Sequence, residues 1–246
     1  MKNKKIKLAI SGANGRMGKI IIKEIKKRND LTIGLLLIKK NKHKNIKIKK
    51  IKNFIPTKYS LKNQNNKFDI LIDFSEKKNT IKNIKYCIKH KKNIIIGTTG
   101  FNETQEKFIK NSSKKICIVK SANFSKGINL IHLILKNIVN KLKNLKIKIV
   151  EEHHKNKKDS PSGTAIEIGK TIKKKLSINK KINFISKRIG NTIGKHKIIF
   201  SNKYEKIEIK HKAKNRSIFA LGAIKSAKWS YKRTNGLFNM KNVINK

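Results

Sequence analysis

Residues 5–28, KIKLAISGANGRMGKIIIKEIKKR, pass from a short apolar run through a glycine-rich turn into a helix-like repeat. KIKLAIS (5–11) is aliphatic and too short for a helix, which predicts a buried strand. From 16 to 28, isoleucines recur at helical spacing among lysines, which predicts an amphipathic helix. Between the two, Gly12, Gly15 and Gly18 stand three residues apart. Such a triplet allows a tight turn, close approach of backbone N–H groups to a pyrophosphate, and close packing of helix on sheet; the helix N-terminus then favours the anion. The pattern is GxxGxxG rather than GxGxxG, and an ordinary glycine-rich turn is the competing reading. Its place in the first strand–helix unit favours dinucleotide binding.

The segments that follow repeat the alternation. Strands are predicted at 31–38, 68–74, 93–100 and 115–121, with helices near 76–91 and 103–113. Alternating strands and helices predict an α/β fold, a parallel sheet with helices on both faces. Residues 40–67 show no period and carry no assignment. From about residue 125 the texture changes: a long helix fits 126–143, a strand 146–153, a helix 162–176, three strands reading as antiparallel at 182–188, 196–201 and 204–212, and a helix 217–232. This second region reads as α+β, so the chain divides into two domains.

The composition bounds the partners. The formal net charge is +51, yet arginine occurs only at 16, 28, 188, 216 and 233, so that 59 of the 64 basic residues are lysines spread from end to end. Nucleic-acid sites concentrate charge on one face and interleave arginine or aromatic residues. The even spread therefore reads as a solvated surface, and no specific nucleic-acid partner is expected. Cys87 and Cys117 are too few and too far apart for a disulfide framework or a CxxC metal site, and their apolar flanks make them core residues. No apolar stretch approaches the length of a membrane span, and the amino terminus lacks a signal-peptide pattern. A cytoplasmic, reduced protein is the expectation.

Two places carry chemistry beyond the glycine loop. The second strand ends Leu37-Ile38-Lys39-Lys40, where a carboxylate gripping the adenine ribose is expected and none is present. A cation at Lys39 suits a 2′-phosphate, so NADPH is favoured over NADH. The stretch EEHHKNKKDSPSGTA (151–165) ends a predicted strand and opens a predicted helix. Pro161 falls where the helix would begin, with Asp159 or Ser160 as a cap. Ser162, Gly163 and Thr164 offer hydroxyls and backbone N–H groups to a carboxylate or phosphate, and Lys157 adds a charge. His153 and His154, adjacent on a strand, point to opposite faces, and a histidine beside an anion pocket exchanges protons near neutral pH. Consecutive positions lack the spacing of a helical zinc site, so no metal is expected.

The same stretch closely resembles the signature of the 4-hydroxy-tetrahydrodipicolinate reductase (dihydrodipicolinate reductase) family. The resemblance continues in Gly12-Ala13-Asn14-Gly15-Arg16-Met17-Gly18, Gly97-Thr98-Thr99-Gly100-Phe101, Ser121-Ala122-Asn123-Phe124-Ser125, Arg188-x-Gly190-x-x-x-Gly194-x-His196, His211-Lys212-Ala213 and Gly236-Leu237-Phe238. It implies an oxidoreductase of lysine and diaminopimelate biosynthesis that passes hydride from NADPH or NADH to a cyclic unsaturated dicarboxylate. It also implies a Rossmann-type nucleotide-binding domain (1–125 with 216–246) and an α+β substrate-binding domain (126–215) whose sheet builds a homotetramer. By resemblance, His153 is the proton donor/acceptor and Lys157 a second general acid. His154, Ser162, Gly163, Thr164 and Thr99 meet the substrate. Gly12, Ala13, Asn14, Gly15, Arg16, Met17, Lys39, Gly97, Thr98, Thr99, Ser121, Ala122, Asn123, Phe124, Arg216 and Phe219 meet the cofactor.

Two departures stand out against that family: Ile38 replaces its usual acid, and the segment between 176 and 182 is shorter than its members show. The alternatives are a basic nucleic-acid-binding protein, or an inactive scaffold, on a retained reductase fold. Lysines near His153 are expected to depress its pKa.

Overall fold

The computed structural model describes residues 5–39, 55–64, 67–155, 157–176 and 181–245. The opening unit forms as its sequence predicts. In β1 (Ile6–Ser11) the pleat sends Leu8 and Ile10 to one core and Ala9 to another, and α1 (Arg16–Lys26) follows directly after the glycine turn. β2 (Leu31–Leu37), β3 (Thr57–Lys58), β4 (Ile70–Asp73), β5 (Asn93–Ile96), β6 (Cys117–Lys120) and the late strand β11 (Gly236–Phe238) join β1 in one sheet. The order is β11-β6-β5-β4-β1-β2-β3, with every pair parallel. Strand order reverses between β1 and β4, and in such sheets the crevice beyond the carboxyl ends at that reversal takes ligands. Helices α1, α6 (Ser217–Ser230) and α7 (Met240–Ile244) cover one face through Ile21, Ala223 and Met240, while α2 (Lys77–Lys89) and α3 (Glu103–Ser112) cover the other through Ile84 and Ile109. Cys117 and Cys87 are free thiols, one in each core, and burial raises both pKa values, that of Cys117 to about 11.

The chain divides into two compact units, Met1–Phe124 with Phe219–Lys246, and Ser125–Ile218. In the second, β7 (Lys146–His153), β8 (Ile182–Arg188), β9 (Lys195–Ser201) and β10 (Lys206–Lys212) form a mixed sheet of order β10-β9-β7-β8. Helices α4 (Lys126–Ile138) and α5 (Gly163–Leu176) bury Leu135, Ile168 and Ile172 against Ile149, Ile198 and Phe200 of this sheet.

The expectation of three antiparallel strands needs correction, because β8 runs parallel to β7. α5 carries the chain back across the sheet, so β7–α5–β8 is a crossover unit, and a crossover returns the strand in the same direction. Only β9 and β10 are antiparallel to their neighbours. The long helix expected over 126–143 changes at Val139 into a turn of 3-10 helix ending at Leu142. β3 and β11, of two and three residues, are too short to show a period in sequence. Most of the unassigned region 40–67, and the shortened connection before residue 182, lie outside the described residues.

Candidate functional site

In the first unit the sites lie at the carboxyl ends of β1, β2, β4 and β5. Gly12 takes φ +79°, and a Cβ there would stand 2.4 Å from the Phe74 carbonyl oxygen, so the turn requires glycine. Gly18 lets α1 rest on the loop, since a Cβ would lie 2.2 Å from the Gly12 carbonyl oxygen. The N–H groups of Gly12 and Ala13 both donate to the Leu37 carbonyl, at 3.1 and 3.0 Å, and that of Gly15 to the Gly12 carbonyl at 2.9 Å. Those three amides shape the loop and are not free for a pyrophosphate, which refines the sequence reading. α1 has no side-chain cap and no acidic residue in its first turn. Its leading N–H groups, at Arg16 and Met17, are therefore the ones placed to meet an anion.

A cavity of about 670 Å³ opens beside this loop, lined by Gly12, Asn14, Gly15, Ile38, Lys39 and Lys82 among others. Glu76 is its one carboxylate among the described residues, and it accepts from Lys39 Nζ at 2.7 Å. A second cavity of about 450 Å³ brings Gly15, Arg16 and Met17 together with Gly97, Thr98 and Thr99. Beneath both, the fully buried Asp73 ties the strand ends together. Its carboxylate accepts from the Ser75 N–H and hydroxyl at 2.8 and 2.6 Å, from Asn83 Nδ2 at 2.8 Å and from Thr98 Oγ1 at 3.4 Å, while Asn83 also donates to Ser11 Oγ at 3.0 Å. Burial pushes its pKa up against these donors. Ser121 to Phe124 follow β6; Ser121 Oγ donates to the Asn123 carbonyl at 2.9 Å, and the Phe124 ring is core, packed on Phe74 at 5.7 Å between centroids. Arg216 and Phe219 bracket the start of α6, on either side of the division between units. The loop's positive φ, the uncapped helix and the adjoining cavity fit a dinucleotide.

In the second unit a constellation gathers at the end of β7. The alternation of that strand puts Ile147, Ile149, Glu151 and His153 on its buried face. Register then places Arg188 of β8 across from His153, and His196 of β9 across from Glu151. His153 Nδ1 bonds Glu151 Oε2, and Glu151 Oε1 accepts from Arg188 Nη1 at 2.8 Å. The His153 and His196 rings meet edge to face, 5.1 Å between centroids. His154 is half-buried, and its carbonyl accepts the Lys157 N–H at 3.1 Å.

The helix start differs from the sequence expectation. Pro161 is not the first helical residue. Ser162 precedes Gly163, and its Oγ accepts from the Ala165 N–H at 3.3 Å and meets His196 Nε2 at 3.2 Å. The Gly163 N–H is met by Asp159 Oδ2 at 3.2 Å, and Asp159 Oδ1 accepts from Lys157 Nζ at 2.7 Å. A resident carboxylate thus already bridges Lys157 and the head of α5. Thr164 lies in the first turn, half-buried.

Burial, more than charge, lowers the His153 pKa; Lys157 and Arg188 lower it further and Glu151 opposes them. Neighbouring cations were the cause expected from sequence, and they rank behind desolvation. Burial and His153 push His196 down to about 3. Burial works to raise Glu151, but hydrogen bonds from Arg188, Ser186 and His153 carry it below the usual carboxylate range. Among the described residues no cluster of three or more His, Cys, Asp or Glu side chains could hold a metal ion. Nor is any helix there long and apolar enough to cross a membrane.

No role for Asp73, Glu151, Arg188 or His196 follows from the sequence alone. Glu151 carries a local signal, since it sits two residues before His153 on a strand and so shares its face. Arg188 carries none, because its approach depends on β8 pairing parallel with β7.

A doubly wound sheet with an uncapped helix at its switch point, joined to a unit that holds a buried histidine near Lys157, suits an NAD(P)H-dependent oxidoreductase, the class that the family matches establish. Residues 6–124 match the family model for "Dihydrodipicolinate reductase, N-terminus", and residues 127–244 that for "Dihydrodipicolinate reductase, C-terminus". The chain is 50% identical over 272 residues to the 4-hydroxy-tetrahydrodipicolinate reductase of Buchnera aphidicola subsp. Cinara cedri (strain Cc), with 100% of this chain and 99% of that one covered. It is 40% identical to the protein of that name from Pelagibacter ubique (strain HTCC1062), over 98% of this chain and 99% of the other. Its fold is similar to that of a dipicolinate-bound dihydrodipicolinate reductase from Paenisporosarcina sp. TG-14, with TM-score 0.81 and 21% identity over 98% and 100% of the two chains. The chain belongs to the dihydrodipicolinate reductase family.

Proposed function

We propose that this chain reduces 4-hydroxy-tetrahydrodipicolinate, or its dehydrated form dihydrodipicolinate, to tetrahydrodipicolinate in lysine biosynthesis through diaminopimelate. The observation that carries the reading is the end of β7, where a buried His153 held by Glu151 neighbours Lys157 and the N-terminus of α5. When bound, the reduced nicotinamide supplies the hydride. Arg16 and Met17 hold the pyrophosphate at the head of α1, with Asn14 and Thr98 beside it and Thr99 toward the nicotinamide and substrate. Backbone at 121–124, with Arg216 and Phe219, completes the nicotinamide side. Ser162, Gly163 and Thr164 take one substrate carboxylate at the head of α5, assisted by His154. Lys157 and the Gly163 N–H both exchange their Asp159 partner for the substrate. Hydride addition leaves an electron pair that takes a proton, and His153 or Lys157 delivers it. Holding a dianion between cations and a helix N-terminus lowers the cost of bringing negative charge to the reaction.

NADPH is the preferred reductant on this reading. The cavity beside the loop presents Lys39, Lys62 and Lys82, and its one carboxylate among the described residues, Glu76, is already paired with Lys39. The enzyme acts as a cytoplasmic homotetramer assembled through the second sheet, whose face opposite α4 and α5 offers half-buried Val150, Ile185 and Ile199.

The test is loss of reduced-nicotinamide absorbance with freshly generated dihydrodipicolinate, run with NADPH and NADH side by side. Substrate-dependent oxidation, faster with NADPH, and a fall of at least roughly 10²-fold in His153→Gln with nucleotide binding retained are expected. A folded, nucleotide-binding protein that oxidises neither cofactor would instead be a scaffold.

A further inference from the structure

Besides the carbonyl of its neighbour Lys187, 2.9 Å from Nη1, Arg188 reaches three places at once. Its Nη1 donates to Glu151 Oε1 at 2.8 Å, its Nη2 to the Asp159 carbonyl at 2.5 Å and its Nε to the Lys157 carbonyl at 3.3 Å. Glu151 meets His153 Nδ1 through its other oxygen. A single guanidinium therefore holds both the carboxylate behind His153 and the backbone of the loop that carries Lys157.

We infer that Glu151 and Arg188 are the positioning residues of the reaction: Glu151 fixes His153 through Nδ1 so that Nε2 is the nitrogen that exchanges the proton, and Arg188 holds Glu151 and the Lys157 loop in register. The inference rests on the reductase reading above and assigns the atoms within it.

A neutral imidazole carries one N–H, and a carboxylate facing Nδ1 draws the proton to that nitrogen. Nε2 then bears the lone pair in the neutral ring and becomes a donor when the ring is imidazolium. Space is kept at that nitrogen, because a Cβ on Gly194 would stand 3.1 Å from Nε2. The charged and titratable groups facing His153 are Glu151 on its own strand, Lys157 on the following loop, Arg188 on β8 and His196 on β9. Glu151 is the anion of that set and stabilises the imidazolium against two cations and burial. A carboxylate only 1% exposed needs a fixed counter-charge, which Arg188 provides. A lysine in its place would be a point charge on a flexible stem, unable to reach the carboxylate and two carbonyls together.

The experiment compares wild type, Glu151→Gln and Arg188→Lys by steady-state kinetics across pH, nucleotide binding and ¹⁵N NMR of the His153 ring. In wild type, NMR should place the proton of neutral His153 on Nδ1. Both variants should bind NADPH within about twofold of wild type and lose roughly tenfold to a hundredfold in kcat, a share of what a positioned acid–base contributes. In Glu151→Gln the alkaline fall of kcat should move to lower pH, because the imidazolium has lost its anion, and the ring should shift toward the Nε2–H tautomer. A wild-type ring protonated on Nε2 overturns the inference with no variant required. An unchanged tautomer and pH profile in Glu151→Gln overturn it as well. If wild type oxidises neither cofactor, the reductase reading fails separately, and the NMR comparison still decides whether Glu151 sets the tautomer.

Discussion

His196 shows what one buried side chain can demand. It is 3% exposed, its Nδ1 has no hydrogen-bond partner among the described residues, and its Nε2 meets Ser162 Oγ at 3.2 Å. Placing the proton on Nε2 avoids an orphaned buried N–H, and makes Ser162 an acceptor there and from Ala165. The serine's own O–H is then directed elsewhere, free to donate. The same burial holds the His196 pKa at about 3 against an ordinary 6.5. The unfolded chain takes up this proton near pH 6.5 and the folded chain does not, so stability is full above that pH and falls as pH drops toward 3. His153 and His211 are shifted in the same direction. Denaturant melts between pH 7 and 5, above the range in which exposed carboxylates take up most of their protons, should show this acid loss. His196→Gln should reduce the slope by about one proton, roughly 1.4 kcal/mol per pH unit near pH 5. An unreduced slope would mean that the folded protein protonates His196 as readily as the unfolded chain.

At the level of elements, the head of α1 carries the strictest steric demand in the first unit. Gly18→Ala would set a methyl 2.2 Å from the Gly12 carbonyl oxygen and 2.7 Å from Ala13 Cα, both backbone atoms. Helix and loop must part, at a cost of about 1–3 kcal/mol, and the N–H groups of Arg16 and Met17 lose their aim. Nucleotide affinity should fall about tenfold or more by fluorescence titration while the second unit's NMR signals stay in place; wild-type affinity would show that the loop yields without consequence. This element was legible in sequence because its three glycines and its flanking periods are local. The end of β7 was legible for the same reason, as a run of fifteen residues bearing nearly all its chemistry. What escaped was set by pairing. The direction of β8 follows from α5 crossing the sheet, and Arg188 reaches His153 only through that register. Asp73 likewise bonds Thr98 and Asn83, which reach it only when β4, β5 and α2 assemble. The two- and three-residue strands β3 and β11 exist because a neighbour's edge accepts them, and no period announces them.

For the whole chain the governing quantity is charge. Thirteen carboxylates face 64 basic side chains. Pairs such as Lys228–Asp30 and Lys107–Glu103 lie at the surface, where each contributes well under about 1 kcal/mol. Thirteen carboxylates cannot pair with most of these cations, and the mutual repulsion of the excess disfavours the compact state. Salt acts on this directly: the screening length falls from about 30 Å at 0.01 M to about 3 Å at 1 M. Buried pairs such as Arg188–Glu151, with Glu151 1% exposed, are shielded from that effect. The melting temperature should rise with sodium chloride between low salt and about 0.5 M, by several degrees if the relief is about 2 kcal/mol. Retention on DNA, if it reflects bulk charge, should vanish over the same range, since each phosphate contact adds to the salt slope. Differential scanning fluorimetry and a DNA column run in the same salt series separate the outcomes. A melting temperature that falls with salt would mean that the ion pairs outweigh the repulsion. A DNA footprint that survives moderate salt would revive the nucleic-acid reading, because only specific contacts outlast the loss of counterion release.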